Sequence, residues 1–530
     1  MRTIQKNRVL LITLAVLALL FALAIQGMST SDWVITVVRG VAAGAVTFLV
    51  ASGLSLIFGL LDVLNLAHGA LFMIGAYVGW TVYVRPDTFV DVLGPVLLLL
   101  AGLLLRPVWD IAVGRLRLPR VVERIWPWAA LALAALLAVL SFSGWPIAKW
   151  NPGVPAESPG TAALTLDTIT RADQPRPMPE GAGSGSILAV AGLVASGAFL
   201  AAGLSGFTYQ HGGTRSALTV KNLALPVVVL LLGLLAYLGN DALTRWLLGM
   251  DTMWIFLVAI LVATLTGAGL GGLMEVTLIR PLYARPIYQL MLTLGVGVVG
   301  IELVRALWGK VEFTMPKPEL FTASGEGCPA TSMGAWLTND CSTFLLAGGR
   351  LRTYNEIFAI LVGAIVLVGV WLLLKRSRLG MVIRAGVQDS QMVEALGINV
   401  RRVFTMVFAL GAALAALGGV VAAPSMGLSP FMGQTLLVGA LVALAIGGLT
   451  SFPGAAAASV LVGLVEAFMV KYGQIGIQLP CVMFKLGPID IDLCMEGPFK
   501  PTPPLVPAST VLLMVIVLLV MPKGLFGGKE

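Results

Sequence analysis

Gly53-Leu54-Ser55-Leu56-Ile57-Phe58-Gly59 and, a few residues on, Asn65-Leu66-Ala67-His68-Gly69-Ala70 interrupt what would otherwise be one long apolar tract. The runs on either side, 36–59 and 65–84, each hold about the 20 residues that one bilayer crossing needs. Glycines, an Asn and a His between two crossings have two readings. Backbone broken at membrane depth survives only against protein or a water-filled cavity, which would make this segment the edge of a pathway. Alternatively, Gly69 and Gly75 let helices approach closely while His68 bonds a neighbouring carbonyl, and the residues alone favour this packing reading.

The rest of the chain has the same character. Of 530 residues, 58% are apolar and 11% charged, against about 45–50% and about 25% in soluble domains, which excludes a soluble enzyme. Fourteen apolar stretches qualify as spans, near 9–27, 36–59, 65–84, 92–106, 127–145, 187–206, 222–239, 254–276, 287–308, 354–374, 403–422, 435–449, 455–471 and 508–522. The expected fold is therefore an all-α polytopic membrane bundle of twelve to fourteen helices. The stretches near 92 and 435 are short for a core of about 30 Å, which predicts that they are tilted, broken or re-entrant.

Loop charge gives the sidedness. With Met1 inside, the inner loops carry 20 basic residues and the outer loops 11, so an even number of spans places both ends in the cytoplasm if the first span is retained. That first span, within 1–35, reads equally as a signal anchor or a cleaved signal peptide, because Arg2, Lys6 and Arg8 precede a stretch ending Ala22-Leu23-Ala24. The basic residues are not clustered with aromatics, so nucleic acid is not an expected partner. The outer loop 146–186, with seven prolines from Pro146 to Pro179, reads as an irregular linker.

Seven ordered motifs carry a family resemblance. They are Asn65 to Ala70, Arg280-Pro281-Leu282, Thr293-Leu294-Gly295, Ser377-Arg378-Leu379-Gly380 through Ala395-Leu396-Gly397-Ile398-Asn399, Phe408 to Gly419, Gly447 to Ala455, and Met521 to Gly527. Together they resemble the LivH-type membrane permease subunits of branched-chain, or hydrophobic, amino acid ABC importers. Leu66, Ala70 and Thr450 depart from the family's usual Phe, acid and Gly. The resemblance covers about 36–84 and 251–527, and 85–250 has no counterpart in it. The chain thus divides into 1–35, a first core part 36–84, an insertion 85–250 with four spans, and a second core part 251–530. Four being even, the insertion preserves the orientation of every later span.

The resemblance implies a permease that forms the membrane path for a small amino acid or amide. Implied partners are a homologous second permease subunit, two cytoplasmic ATPases, a periplasmic solute-binding protein and the lipid of a bacterial inner membrane. No Walker-type glycine loop occurs, so ATP and Mg are expected on the ATPases, with no catalytic residue, cofactor or metal here. Pathway residues are expected at Asn65, His68, Gly69, Gly447, Gly448 and Ser451. The basic inner loop 375–402, with an interrupted apolar pattern, reads as short amphipathic helix docking on an ATPase through Arg384, Gln388, Asp389, Glu394 and Gly397, or as helix lying on lipid.

Charges within spans remain. Glu302 and Arg305, three apart on one helix, are expected to pair. Gly272-Leu273-Met274-Glu275 and Gly463-Leu464-Val465-Glu466 fall in spans of opposite direction, as an inverted repeat would leave them, although chance in a Gly- and Leu-rich chain explains four residues equally well. A rival reading, an ion-coupled secondary transporter, requires clustered mid-membrane acids, whereas those present are scattered. An intramembrane enzyme would need a nucleophile and base, and His68 and His211 lie far apart. Finally, Cys328 with Cys341 and Cys481 with Cys494 share two outer loops, where disulfides persist. Of three pairings, local closure is expected.

Overall fold

The computed structural model describes residues 28–115, 119–143, 145, 184–210, 220–283, 285–310, 312, 314–388, 390–476, 483–486, 489–492 and 500–525. The first expected span, most of the Pro-rich linker, His211, Asp389, Cys481 and Cys494 lie outside these residues. The described chain forms two compact units. One holds the residues up to Trp80 and from Thr252 onward, the other the described residues between Thr81 and Asp251.

The first unit is built from α1 (Thr30–Leu61), α2 (His68–Val84), and then α9 (Thr252–Met274) and α10 (Pro286–Trp308). It continues with α11 (Met333–Asn339), a hairpin of β1 (Thr343–Leu346) and β2 (Gly349–Arg352), and α12 (Ala359–Arg376). Next come two short helices, α13 (Arg378–Gln388) and α14 (Ser390–Ala395), before α15 (Val400–Met426), α16 (Met432–Gly447) and α17 (Phe452–Ile475). A second hairpin, β3 (Met483–Leu486) with β4 (Ile489–Asp492), precedes α18 (Leu505–Val520). The second unit holds α3 (Pro86–Leu103), α4 (Arg106–Arg115), α5 (Arg120–Ser143), α6 (Ser184–Gln210), α7 (Val220–Leu238) and α8 (Asn240–Leu248).

Among the described residues, nine helices are long and apolar enough to cross a bilayer, α7 with α8 forms a tenth candidate bent by 76°, and α2, α16 and α18 are shorter apolar helices. Each corresponds to a span expected from the sequence. The stretch near 92, expected to be tilted, broken or re-entrant, is broken: α3 ends at Leu103 and α4 resumes at Arg106, within one 28-residue apolar segment, Pro86–Val113.

Small residues set the helix pairs of the first unit, and their contacts reveal its symmetry. Gly40 meets Leu464 and Gly44 meets Val460, so α1 and α17 run antiparallel. Gly267 and Gly271 meet Ala416 and Ala412 in the same manner, so α9 and α15 run antiparallel. Where α1 crosses α15, Gly53 and Gly411 face each other; where α2 crosses α16, Gly69 and Gly433 do. At each crossing backbones touch where a Cβ would collide, the usual basis of tight packing between membrane helices. The order α1, α2, α9, α10 is thus repeated, with every direction reversed, by α15, α16, α17, α18. The Gly272 to Glu275 and Gly463 to Glu466 similarity falls on the equivalent helices α9 and α17. In the second repeat the link between the second and third helices is the turn Gly448–Ser451; at the equivalent place in the first lies the second unit.

Loops placed on one side by the charge count gather at one end of the first unit. At the start of α1, Asp32 accepts from Lys471 Nζ at 2.7 Å and Arg39 pairs with Glu356 at 3.4 Å. The layer from Glu319 to Phe358 stands beside Arg39. It is held by an aromatic cluster of Phe256, Phe321, Tyr354 and Phe358, and Tyr354 donates to the Val421 carbonyl at 2.8 Å. Cys328 and Cys341 form a disulfide there, with Cα atoms 5.5 Å apart. Burial, together with the charge of Arg352, holds the Lys317 ammonium below the ordinary lysine range. At the other end of α1, Gly59 approaches Thr450, α13 packs on α1 and α15 through Ile383, and Leu525 N–H donates to the Ile446 carbonyl.

The second unit follows the same rules with its own core of Leu98, Trp145 and Leu193. Gly102 of α3 and Gly197 of α6 pack backbone to backbone. Polar side chains are bonded internally: Ser205 donates to Asp110 at 2.6 Å and Asn240 to Asp91 at 2.8 Å.

Candidate functional site

Two of the short helices define the centre of the first unit. α2 has 17 residues and α16 has 16, lengths of about 25 Å at 1.5 Å per residue, less than the roughly 30 Å of a bilayer core. Each follows a long helix that ends in a sharp reversal. α1 stops at Asp62, left-handed at φ 53°, whose N–H caps the Phe58 carbonyl. α15 stops at Gly427, φ 76°. The two apolar runs read from the sequence left 60–64 between them, and α1 runs through Gly53 and Gly59 unbroken. The irregular backbone is 62–67 instead, because Leu54, Leu56 and Ile57 are buried on α1 and hold it helical.

The first turns of α2 and α16 lie side by side. A Cβ on Gly69 would stand 2.5 Å from the Gly433 carbonyl oxygen, and one on Gly433 would collide with Gly69. Leu437 also approaches Gly69 and Met73 approaches Gly433, so the helices leave this contact in opposite directions. Two short helices therefore meet at their N-terminal, partially positive ends inside the bundle.

Asn65 and His68 sit at this junction with no exposed surface. The Asn65 Oδ1 accepts the Ala67 N–H at 3.0 Å, and the Leu66 N–H reaches across to Thr293 Oγ1 at 3.2 Å. Asn65 Nδ2 and both ring nitrogens of His68 have no hydrogen-bond partner; the Val50 carbonyl lies toward the ring but outside ordinary bonding geometry. The ring rests against Gly53, where a Cβ would lie 2.8 Å from its Nε2. Such groups are rare in a buried setting, since an unmet donor costs about 1–3 kcal/mol.

Gly447, Gly448 and Ser451 lie at the far end of α16. Gly447 packs on Gly454, Gly448 takes φ 101° to close the turn, and Ser451 Oγ accepts the Gly454 N–H at 3.1 Å as the cap of α17. Fourteen residues of helix, about 21 Å, separate this turn from Gly433. The structure thus places the six expected pathway residues in two groups, at the two ends of α16. Thr450 takes no positive φ, so its replacement of the family's Gly leaves the turn intact.

The segment 375–402 is helical in two pieces. Ser377 Oγ caps α13 by accepting the Gly380 N–H at 2.9 Å, and Gly380 lies so close to the Leu373 and Leu374 carbonyls that a side chain has no room. Ile383 and Val393 are buried, whereas Met381, Met392 and Leu396 are 64%, 63% and 73% exposed. Arg384 and Glu394 are exposed too, and Gly397, at φ 81°, ends α14; nothing is described for the side chain of Gln388.

One cluster escaped the sequence reading. α9 passes into a π-helical turn, Glu275–Ile279, at whose start the fully buried Glu275 accepts from Arg280 at 2.9 and 3.2 Å, from Tyr283 at 2.5 Å and from Thr405 of α15 at 2.7 Å. The Arg280-Pro281-Leu282 motif was the available signal, since its Arg needed an acid within reach. Glu466, the equivalent acid on α17, is exposed. Glu302 and Arg305 form the expected pair at 2.6 Å.

The chain matches the family described as the permease component of branched-chain amino acid transport systems over residues 36–177 and 178–522. It is 24% identical over 287 residues to the high-affinity branched-chain amino acid transport system permease protein LivH of Salmonella typhimurium, covering 54% of this chain and 79% of the relative. To LivH of Escherichia coli K12 it is 25% identical over the same lengths. The permease protein BraD of Pseudomonas aeruginosa is 36% identical over 121 residues, 23% of this chain and 39% of the relative. No solved structure matches. An all-α, multi-pass bundle with these motifs in order and a family match spanning most of its length is a transport subunit: the chain belongs to the permease-component family of branched-chain amino acid ABC transport systems.

Proposed function

We propose that the chain forms the membrane path for a branched-chain or similar hydrophobic amino acid, delivered by a periplasmic binding protein and driven by two ATPases that bind ATP and Mg. It works beside a second, homologous permease subunit in a bacterial inner membrane. The end bearing α13 and α14 faces the cytoplasm, with both chain ends on that side if the first span is retained, in keeping with the excess of basic residues in those loops.

The observation that carries the reading is the pair α13 and α14. Their buried face, through Ile383 and Val393, grips α1 and α15, while Met381, Met392 and Leu396 project from the end of the bundle among Arg384 and Glu394. Such a pair suits a cleft in a partner that closes and pushes as a rigid body. Asp389 and Gln388 belong to the same segment. The sites at Asn65, His68 and Gly69 and at Gly447, Gly448 and Ser451 border the path at two depths.

Glu394→Arg in the purified complex tests this reading. ATP hydrolysis stimulated by the binding protein should fall about tenfold, the effect of roughly 1.4 kcal/mol lost from a coupled contact. Unchanged stimulation in Glu394→Arg and in Arg384→Glu would remove these helices from the ATPase interface.

A further inference from the structure

Buried polar groups in a membrane bundle are almost always bonded, because nothing in hydrocarbon replaces water. At the junction of α2 and α16 they are not. Asn65 Nδ2 lacks an acceptor and neither ring nitrogen of His68, one a donor and the other an acceptor in the neutral ring, has a partner; all are fully buried. The first turn of α2 adds backbone donors: His68 N–H reaches the Asn65 carbonyl and Leu71 N–H the Ala67 carbonyl, while Gly69 and Ala70 N–H find no backbone acceptor. On the opposing helix Met432 N–H bonds the Ser429 carbonyl and Gln434 and Thr435 N–H share that of Phe431. Gln434 and Thr435 themselves are exposed, which gives the junction an edge on the outside of this chain.

Apart from His68, whose ring rests against Gly53 of α1, this set is one-sided. It consists of an amide N–H₂, free backbone N–H groups and the positive ends of two helices, so it repels a cation and selects an anion with at least two acceptor oxygens. We propose that the junction of α2 and α16 is a carboxylate-binding site, at which Asn65 Nδ2 and the Gly69 and Ala70 N–H groups hold the α-carboxylate of the transported amino acid. The inference deepens the transport reading above and rests on it.

The inverted repeat supplies the opening. α2 belongs to one repeat and α16 to the other, and they meet backbone to backbone at Gly69 and Gly433, with the Leu437 and Met73 side chains packed at the edges of the contact. A shift of α16 away from α2 opens this contact and exposes the donors at the start of α2. Closed, as here, the contact excludes solvent from the junction; open, it presents the donors to an acid. Asn65 has a double task, its Oδ1 holding the turn before α2 and its Nδ2 left for the ligand.

The experiment uses the complete complex in lipid vesicles. The Asn65→Cys variant is treated with a negatively charged (sulfonatoethyl) and a positively charged (aminoethyl) methanethiosulfonate, with and without ATP, and the rates are corrected for the intrinsic rates with a free thiol and for the parent's own cysteines. The expected result is a corrected preference of at least tenfold for the anionic reagent in one nucleotide state, slowed by leucine. A corrected ratio near one, or a preference for the cation, would overturn the carboxylate site while leaving the pathway reading in place. No reaction with either reagent in any state would overturn both.

Asn65→Asp provides a second measurement, because it keeps the Oδ1 that caps Ala67 but replaces the donor with a repelling oxygen. Leucine transported per ATP hydrolysed should fall at least tenfold, a ratio that corrects for any change in the hydrolysis rate itself. Undiminished leucine transport per ATP would refute the site even if the cysteine variant does not fold.

Discussion

Replacing Thr405 with Val should weaken the tie between α9 and α15 by an amount set by its partner at 275. Thr405 Oγ1 donates to Glu275 Oε2 at 2.7 Å, and the carboxylate it meets has no exposed surface. A hydrogen bond to a charged group is worth about 1.5–3 kcal/mol, and the bonds from Arg280 and Tyr283 remain. Glu275→Leu removes every bond to the carboxylate at once and leaves Arg280 without its acid, with only its bond to Thr405 Oγ1 kept in the cluster. Such a loss costs about 3–5 kcal/mol when both charges are buried. Arg280 keeps 30% of its side chain exposed, so the lower part of that range, about 3 kcal/mol, applies. With Leu at 275, Thr405 has no carboxylate to bind but still accepts from Arg280 Nη2 at 2.8 Å, so Thr405→Val should then cost less than it does with Glu at 275. Reversible unfolding of the purified protein by detergent titration in mixed micelles would give all four stabilities. A Thr405→Val cost that is the same with Leu as with Glu at 275 would refute the assignment of Glu275 as the group joining α9 to α15.

Gly433→Ala should abolish folding or assembly because its Cβ meets the Gly69 carbonyl, whereas Gly439→Ala on the same helix, with nothing within 4 Å, should be neutral; yield and monodispersity in detergent distinguish them. Cys341→Ser should destabilise the outer layer by about 2–4 kcal/mol, read as faster proteolysis between 322 and 352 with the helical core undigested. Mass spectrometry of non-reduced digests from native membrane should find Cys481 joined to Cys494; free thiols at both would refute that pair. Replacing 86–250 with the four residues of the Gly448–Ser451 turn should leave a chain that still assembles with its ATPases, as judged by co-purification, since the second repeat makes the same connection with that turn alone.

The sequence by itself determined the class, the spans and their relative sidedness. A run such as 403–422 must be helix and must cross because no other structure satisfies its backbone in lipid, and the basic loops distribute unequally about those crossings. The capping signals were equally local: Ser377, Asn399 and Ser451 each accept an N–H three residues ahead, an interaction that depends on no distant residue. The motifs carried the family because they encode these caps and close approaches.

Only the tertiary structure decided which glycines meet. Gly69 and Gly433 lie far apart in sequence, and a glycine states that something approaches but not what. The pair of short helices needed the same information, since a 16-residue apolar run does not record whether its first turn lies at a surface or beside another helix end. The partners of Glu275 were not legible for a related reason: four similar residues around it and Glu466 mark equivalent helices, yet one acid is buried among three donors and the other is exposed. That difference comes from Arg280, Tyr283 and Thr405, two of them beyond a π-helical turn and the third on another helix. Burial and hydrogen bonding depend on what packs against a residue, and local sequence carries little of that.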